Sequence, residues 1–251
     1  MTRRLVRLFL GLGLYGFTMA MLVESTLGLD PWDVFHEGVA RHVPLTFGQV
    51  VIVTGAIVML LWIPLRQRPG FGTLANIVVI GLAADAGLAV LPTPDALWAR
   101  AALLVGGVVG NGLAGALYIG ASFGTGPRDG LWVGLVRRTG RSVRWWRTSI
   151  EITVLVVGFV LGGTVGVGTV LYALTIGPLV QLFLELLPPA DPSATSRDEQ
   201  RGVRIDQHLD GGEPLVGQPA LTDRVDVPVD DRRPERTGHE VVEHGDAARL
   251  E

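Results

Sequence analysis

The sequence contains no cysteine and no lysine. The first absence excludes disulfides, thiolate metal sites and a cysteine nucleophile. The second leaves arginine as the only permanently charged base. Motifs are missing too. There is no P-loop, no Gly-x-Ser-x-Gly elbow, no His-Glu-x-x-His helix and no cluster with metal-ligand spacing. The sequence therefore predicts a protein that is not an enzyme, with no catalytic residues, no metal site and no cofactor.

Long apolar stretches dominate what remains. Mean hydropathy is +0.41 over 251 residues, and the excess is confined to residues 1 to about 188. That part holds nine acids and thirteen arginines, a net charge of +4, and the remainder carries −7. A near-neutral total thus conceals a basic apolar body and an acidic polar tail. The break predicts a membrane body, 1–188, followed by a tail, 189–251, too poor in apolar residues to offset its ordering entropy. We expect that tail to be disordered and cytoplasmic. Arginines beside apolar spans are topology signals, so nucleic acid is not an expected partner.

A bilayer core of ~30 Å needs ~20 apolar residues in a helix. Six runs qualify: 6–27, 46–65, 71–91, 99–122, 148–163 and 167–188. Unpaired backbone groups are intolerable in hydrocarbon, so the runs should be helices. The first run is longer than a signal-peptide core and lacks an A-x-A-like cleavage site, so we expect it to be retained. Arginines cluster before span 1, between spans 2 and 3 and between spans 4 and 5. This places both termini in the cytoplasm of a multi-pass inner-membrane protein.

A shift of 96 residues superposes the chain on itself without gaps. Gly28, Pro31 and Asp33 meet Gly124, Pro127 and Asp129, and Gly70-x-Gly72-Thr73 meets Gly166-x-Gly168-Thr169. Punctuation conserved at one offset is the signature of a duplicated unit. Each unit, 1–96 and 97–188, has three spans, an odd number, so tandem copies lie in opposite orientations. The expected fold class is all-α: a polytopic helical membrane protein with six transmembrane helices in two inverted three-helix repeats. Inverted repeats of this kind recur in secondary transporters, with the substrate near the midplane.

After its first span each unit carries a Pro-x-Asp segment. Asp30 suits an N-cap, Pro31 the first helical position and Asp33 the third. Gly126, Pro127 and Asp129 repeat the pattern. Each marks a short helix of about 11–14 residues, interfacial or re-entrant. Trp32 and Arg128 occupy equivalent positions and suit an outer and an inner interface. His36 reads as a solvated interfacial histidine. Charges inside spans cost ~2.5–3.5 kcal/mol at the membrane centre, which marks such residues as functional candidates. Asp85, near the middle of its span, is the best of these. Glu151 has Arg147 one turn earlier, an ordinary i,i+4 pair. Asn76 and Asn111 read as hydrogen bonders between helices. The candidate substrate-binding set is Asp33, Asp85, Arg128, Asp129 and Glu151.

The segments Gly28-Leu-Asp-Pro-Trp-Asp-Val-Phe-His-Glu-Gly, Gly124-Thr-Gly-Pro-Arg-Asp-Gly-Leu and Gly166-Val-Gly-Thr-Val-Leu-Tyr-Ala-Leu resemble the bacterial YczE-type membrane proteins, relatives of the YitT group. The resemblance covers about 1–190 and implies an integral membrane protein, with no catalytic residue to carry over. It also marks the 126–130 segment, with Arg128 and Asp129, as characteristic. The functional expectation is a secondary-type permease for a small solute, with the bilayer and that solute as partners and homo-oligomers compatible with it. The alternatives are a membrane scaffold or regulator acting through its tail, and a substrate-binding subunit of a multi-component transporter.

Overall fold

Helix punctuation in the sequence is reproduced closely in the structure. The computed structural model describes residues 1–187; the 189–251 segment expected to be a disordered tail lies outside the described residues. Among the described residues there are eight helices and no strand. They are α1 (Thr2–Ser25), α2 (Pro31–Ala40), α3 (Phe47–Leu60), α4 (Phe71–Val90), α5 (Leu97–Gly120), α6 (Pro127–Thr139), α7 (Val143–Val160) and α8 (Val167–Leu186).

Their boundaries carry the 96-residue offset. Helices α2, α3 and α4 begin at Pro31, Phe47 and Phe71, and α6, α7 and α8 begin at Pro127, Val143 and Val167. The links agree to within a degree of φ. Thr26 and Ser122 sit at φ 55° and 54°, and Gly28 and Gly124 both at 118°. Gly166 N–H donates to Thr169 Oγ1 over 3.2 Å, and Gly70 N–H donates to Thr73 Oγ1 over the same distance.

The units exchange contacts reciprocally. Gly72 N–H donates to Phe123 O (3.0 Å), and Gly168 N–H donates to Leu27 O (2.8 Å). The loop after the first helix of each unit thus satisfies an orphan amide at the start of the other unit's last helix. A residue pair that recurs with its partners swapped is what an approximate two-fold axis imposes. Along that axis α1 crosses α5, with Gly11 against Tyr118 and Ala114 and the equivalent Gly107 against Leu22 and Thr18. Small residues at such crossings let backbones approach without a hydrophobic driving force.

Four helices are long and apolar enough to cross a membrane: α1, α4, α5 and α8. The other two expected spans differ. Helix α3 has 14 residues, ~21 Å at 1.5 Å per residue, short of a ~30 Å core. Beyond Leu60 the chain continues in tight turns, with Ile63 N–H to Leu60 O and Arg66 N–H to Ile63 O, both 3.1 Å. Helix α7 has 18 residues but carries Arg144, Arg147 and Glu151 on its first half. Large apolar side chains such as Leu10, Leu82, Val105 and Leu174 stay exposed on the outside of the bundle, as lipid-facing residues do.

Helices α2 and α6 are 10 and 13 residues long. Asp30 caps α2 by accepting the Asp33 N–H at 2.8 Å, as the Asp-Pro-x-Asp spacing anticipates. The body of α2 lies along the later part of α7, where a Cβ at Gly158 would sit 2.5 Å from the Phe35 backbone. In the same way α6 lies against the end of α3, where Trp62 Nε1 donates to Pro127 O over 3.0 Å.

Candidate functional site

Between the two units lies a cavity of about 300 Å³, and each of the eight helices contributes to its wall. Its lining is unusual for an apolar bundle. The chain has three tyrosines and two asparagines, and Tyr15, Tyr118, Tyr172, Asn76 and Asn111 all line it. The 96-residue offset relates Tyr15 to Asn111 and Asn76 to Tyr172. Tyr172 Oη donates to Asn111 Oδ1 (2.9 Å), and Asn111 Nδ2 donates to Thr18 Oγ1 (3.1 Å). This chain ties α8, α5 and α1 together in a place where unpaired polar groups would be costly.

The N-termini of α2 and α6 converge on the cavity. Asp30, Trp32 and His36 arrive from α2, and Arg128, Asp129 and Trp132 from α6. The Arg128 guanidinium carbon sits 4.9 Å from the centroid of a Trp32 ring. Nη1 lies 3.9 Å from Asp30 Oδ2, and Nη2 lies 3.8 Å from Asp33 Oδ1. The expectation of Trp32 at an outer interface and Arg128 at an inner one is therefore corrected: the two residues meet. Their short helices point inward with their first turns, and the aromatic face holds the cation that the second helix brings.

His36 is also corrected. It is buried, with Nδ1 3.2 Å from Asp33 Oδ1 and its ring edge-on to Phe47. Asp33 is fully buried and sits immediately behind the cavity wall; its Oδ2 has no hydrogen-bond partner among the described residues. Asp129 lines the cavity and turns toward the Gly126 backbone and the Trp132 indole. Glu151 lines it as well, paired with Arg147 over 3.0 Å.

Of the five candidates, Arg128, Asp129 and Glu151 line the cavity and Asp33 supports it. Asp85 does not belong there. Its Oδ1 accepts the Gly48 N–H at 2.7 Å, and its Oδ2 accepts the Thr46 hydroxyl. It satisfies the first turn of α3 from outside, the task of an N-terminal cap. Sequence reasoning missed the tyrosines and Trp132, and took Asp30 for a cap alone. The scarcity of tyrosine and asparagine in an apolar chain was the available signal.

The comparisons rest on this same region. DUF6198, a family of unknown function, matches residues 2–185. The chain belongs to that family. The chain is also similar to an uncharacterized protein of Haemophilus influenzae, 41% identical over 180 residues, 72% of this chain and 83% of the relative. The uncharacterized membrane protein YczE of Bacillus subtilis is 34% identical over 178 residues, 70% and 83%. The uncharacterized protein YyaS of the same organism is 24% identical over 182 residues, 71% and 90%. No solved structure matches. The resemblance to YczE-type membrane proteins therefore holds, and the family match takes in both repeat units and the cavity between them.

Proposed function

We propose that the chain is a secondary-type permease for a small solute, not an enzyme, in which α3, with the turns that follow it, and α7 add a third crossing to the two long helices of each unit, so that the units lie in opposite orientations. The observation that carries this is the polar cavity at the junction of two sequence-equivalent units, reached by the first turns of two short helices. Discontinuous helices ending at such a junction are the substrate-site architecture of inverted-repeat transporters. The lipid-exposed apolar surface fits a bilayer as the principal partner, and arginine placement favours cytoplasmic termini in an inner membrane.

Orientation is testable on the natural chain because it lacks cysteine. Single cysteines at Val43, between α2 and α3, and at Arg141, between α6 and α7, should react with an impermeant maleimide from opposite sides of oriented vesicles. Labelling of both from one side removes the inverted arrangement. Transport itself is tested by counterflow of candidate solutes in proteoliposomes. We expect saturable exchange that Asp129→Asn and Glu151→Gln reduce. Saturable exchange that both variants leave intact refutes the cavity as the path.

A further inference from the structure

The reading as a permease leaves the chemistry of the solute open, and the cavity's charge balance narrows it. Three carboxylates line the wall, Asp30, Asp129 and Glu151, against two guanidinium groups, Arg128 and Arg147. Asp33 stands behind them with one carboxylate oxygen buried and without a hydrogen-bond partner among the described residues. The balance is negative, and its buried part, Asp30 and Asp33, is acidic, whereas Arg147 and Glu151 at the wall are exposed and paired with each other. Positive helix ends could offset this and invite an anion instead, but each already has an acid beside it: Asp30 caps α2, and Asp129 stands in the first turn of α6.

Arg128 shows what the site prefers. It lies over the Trp32 ring at 4.9 Å and between two aspartates. Its distances of 3.8 and 3.9 Å exceed those of charge-assisted hydrogen bonds, ~2.7–2.9 Å. A guanidinium thus rests against an aromatic face and two acids without closing a tight contact to either carboxylate. That arrangement is the recognition geometry for a cationic ligand. Among the described residues no three acidic or histidine side chains are placed to hold a metal ion, and a cavity of about 300 Å³ is far larger than one inorganic ion.

We infer that the ligand is a small organic cation, an amine or guanidinium compound, received between Trp32, Asp30 and Asp129, and that Arg128 is its tethered competitor. The inference rests on the permease reading for its biological sense but not for its test. The intact protein in nanodiscs is titrated at constant ionic strength with millimolar guanidinium, tetramethylammonium or benzoate, with tryptophan fluorescence and calorimetry as readouts. Both cations bind saturably and benzoate does not. Asp30→Asn, which keeps a competent N-cap, weakens cation binding by ~10-fold or more, the loss of one charge contact. Arg128→Gln strengthens it, because the internal competitor is gone. Should that variant unfold, the Asp33→Asn/Arg128→Gln pair carries the same test with the local charge balanced.

Saturable benzoate binding without cation binding overturns the inference, as does cation binding that Asp30→Asn leaves intact or Arg128→Gln weakens. Cation binding without flux removes the permease reading and keeps the ligand class. Flux of an anionic solute without cation binding does the reverse.

Discussion

Gly28 and Gly124 offer a matched experiment inside one molecule. Both sit at φ 118°, so alanine at either position meets the same backbone penalty, at least ~1–2 kcal/mol for an L-residue with positive φ. Their surroundings differ. A Cβ on Gly28 would lie 2.7 Å from Gly166 N, 2.9 Å from Gly166 Cα and 2.8 Å from Thr169 Oγ1. Two of those atoms are backbone and cannot swing away. A Cβ on Gly124 would meet its nearest neighbour, Thr73 Oγ1, at 3.2 Å and Gly70 Cα at 3.3 Å, a clash relieved by a few tenths of an ångström. Overpacking of a rigid site costs ~1–3 kcal/mol. Gly28→Ala should therefore cost ~1–3 kcal/mol more than Gly124→Ala. Gly140, at φ 68° with open space around its Cβ position, gives the milder left-handed-helical penalty alone, a lower bound on the strain at φ 118°. The assay is equilibrium unfolding in mixed micelles, followed by tryptophan fluorescence. Equal losses at Gly28 and Gly124, or a larger loss at Gly124, would refute the claim that the first unit's loop is seated against backbone in the second.

The other predictions concern the polar network. Asp85→Ala removes the acceptor for Gly48 N–H and the Thr46 hydroxyl and should cost ~0.5–2 kcal/mol, the range for a lost helix cap, with ligand binding unchanged in the nanodisc titration. Asn111→Leu removes the acceptor of the Tyr172 hydroxyl and the donor to Thr18 Oγ1, whose own proton still goes to Tyr15 O, and the two lost hydrogen bonds should cost ~1–3 kcal/mol, read as a lowered unfolding midpoint. Arg128→Leu takes the guanidinium from Asp30 and Asp33, leaving Asp33 its contact with His36 and Asp30 its capping bond, and should cost up to ~3–5 kcal/mol, the range for breaking a buried pair. A double-mutant cycle with Asp33→Asn should recover part of that loss, and strict additivity would show that the ion pair is not coupled.

How much of this was readable from the chain differs by level. Helix starts were legible because they are local: Asp30-Pro31 opens α2, and the Gly-x-Gly-Thr segments open α4 and α8 at the residues expected. The repeat was legible because its punctuation survives at one offset. The cavity was not, since it forms only when residues 60 to 100 positions apart meet, as Asn111 meets Tyr172 and Thr18. The error at Asp85 has a physical origin. Depth within a span suggested a carboxylate in need of a ligand, but the first turn of α3, with its free amides, was close enough to satisfy it. The error at His36 is similar, because solvation was assumed for a residue that tertiary packing buries beside Asp33.

The two units are equivalent in sequence but not in state, and that difference yields the sharpest test of transport. A Cβ on Gly81 would lie 2.5 Å from Gly48 O, so α3 is shut against α4; at the equivalent Gly177 a Cβ would meet nothing within 4 Å. The accessible side chains of the cavity, Arg147 and Glu151, belong to α7 in that same open unit. If solute passes by the units exchanging roles, α7 must close on α8 at Gly177 as α3 leaves α4 at Gly81. Gly177→Leu discriminates. In this conformation the Cβ meets nothing within 4 Å, and replacing a mid-helix glycine should raise stability by ~0.5–1 kcal/mol. The leucine nevertheless occupies the space into which α7 must move, so counterflow should fall at least ~10-fold, a barrier near 1.4 kcal/mol, while the unfolding midpoint rises. A glycine that merely faces lipid would let both stability and flux survive, and that result would remove the exchange of states from any account of this protein.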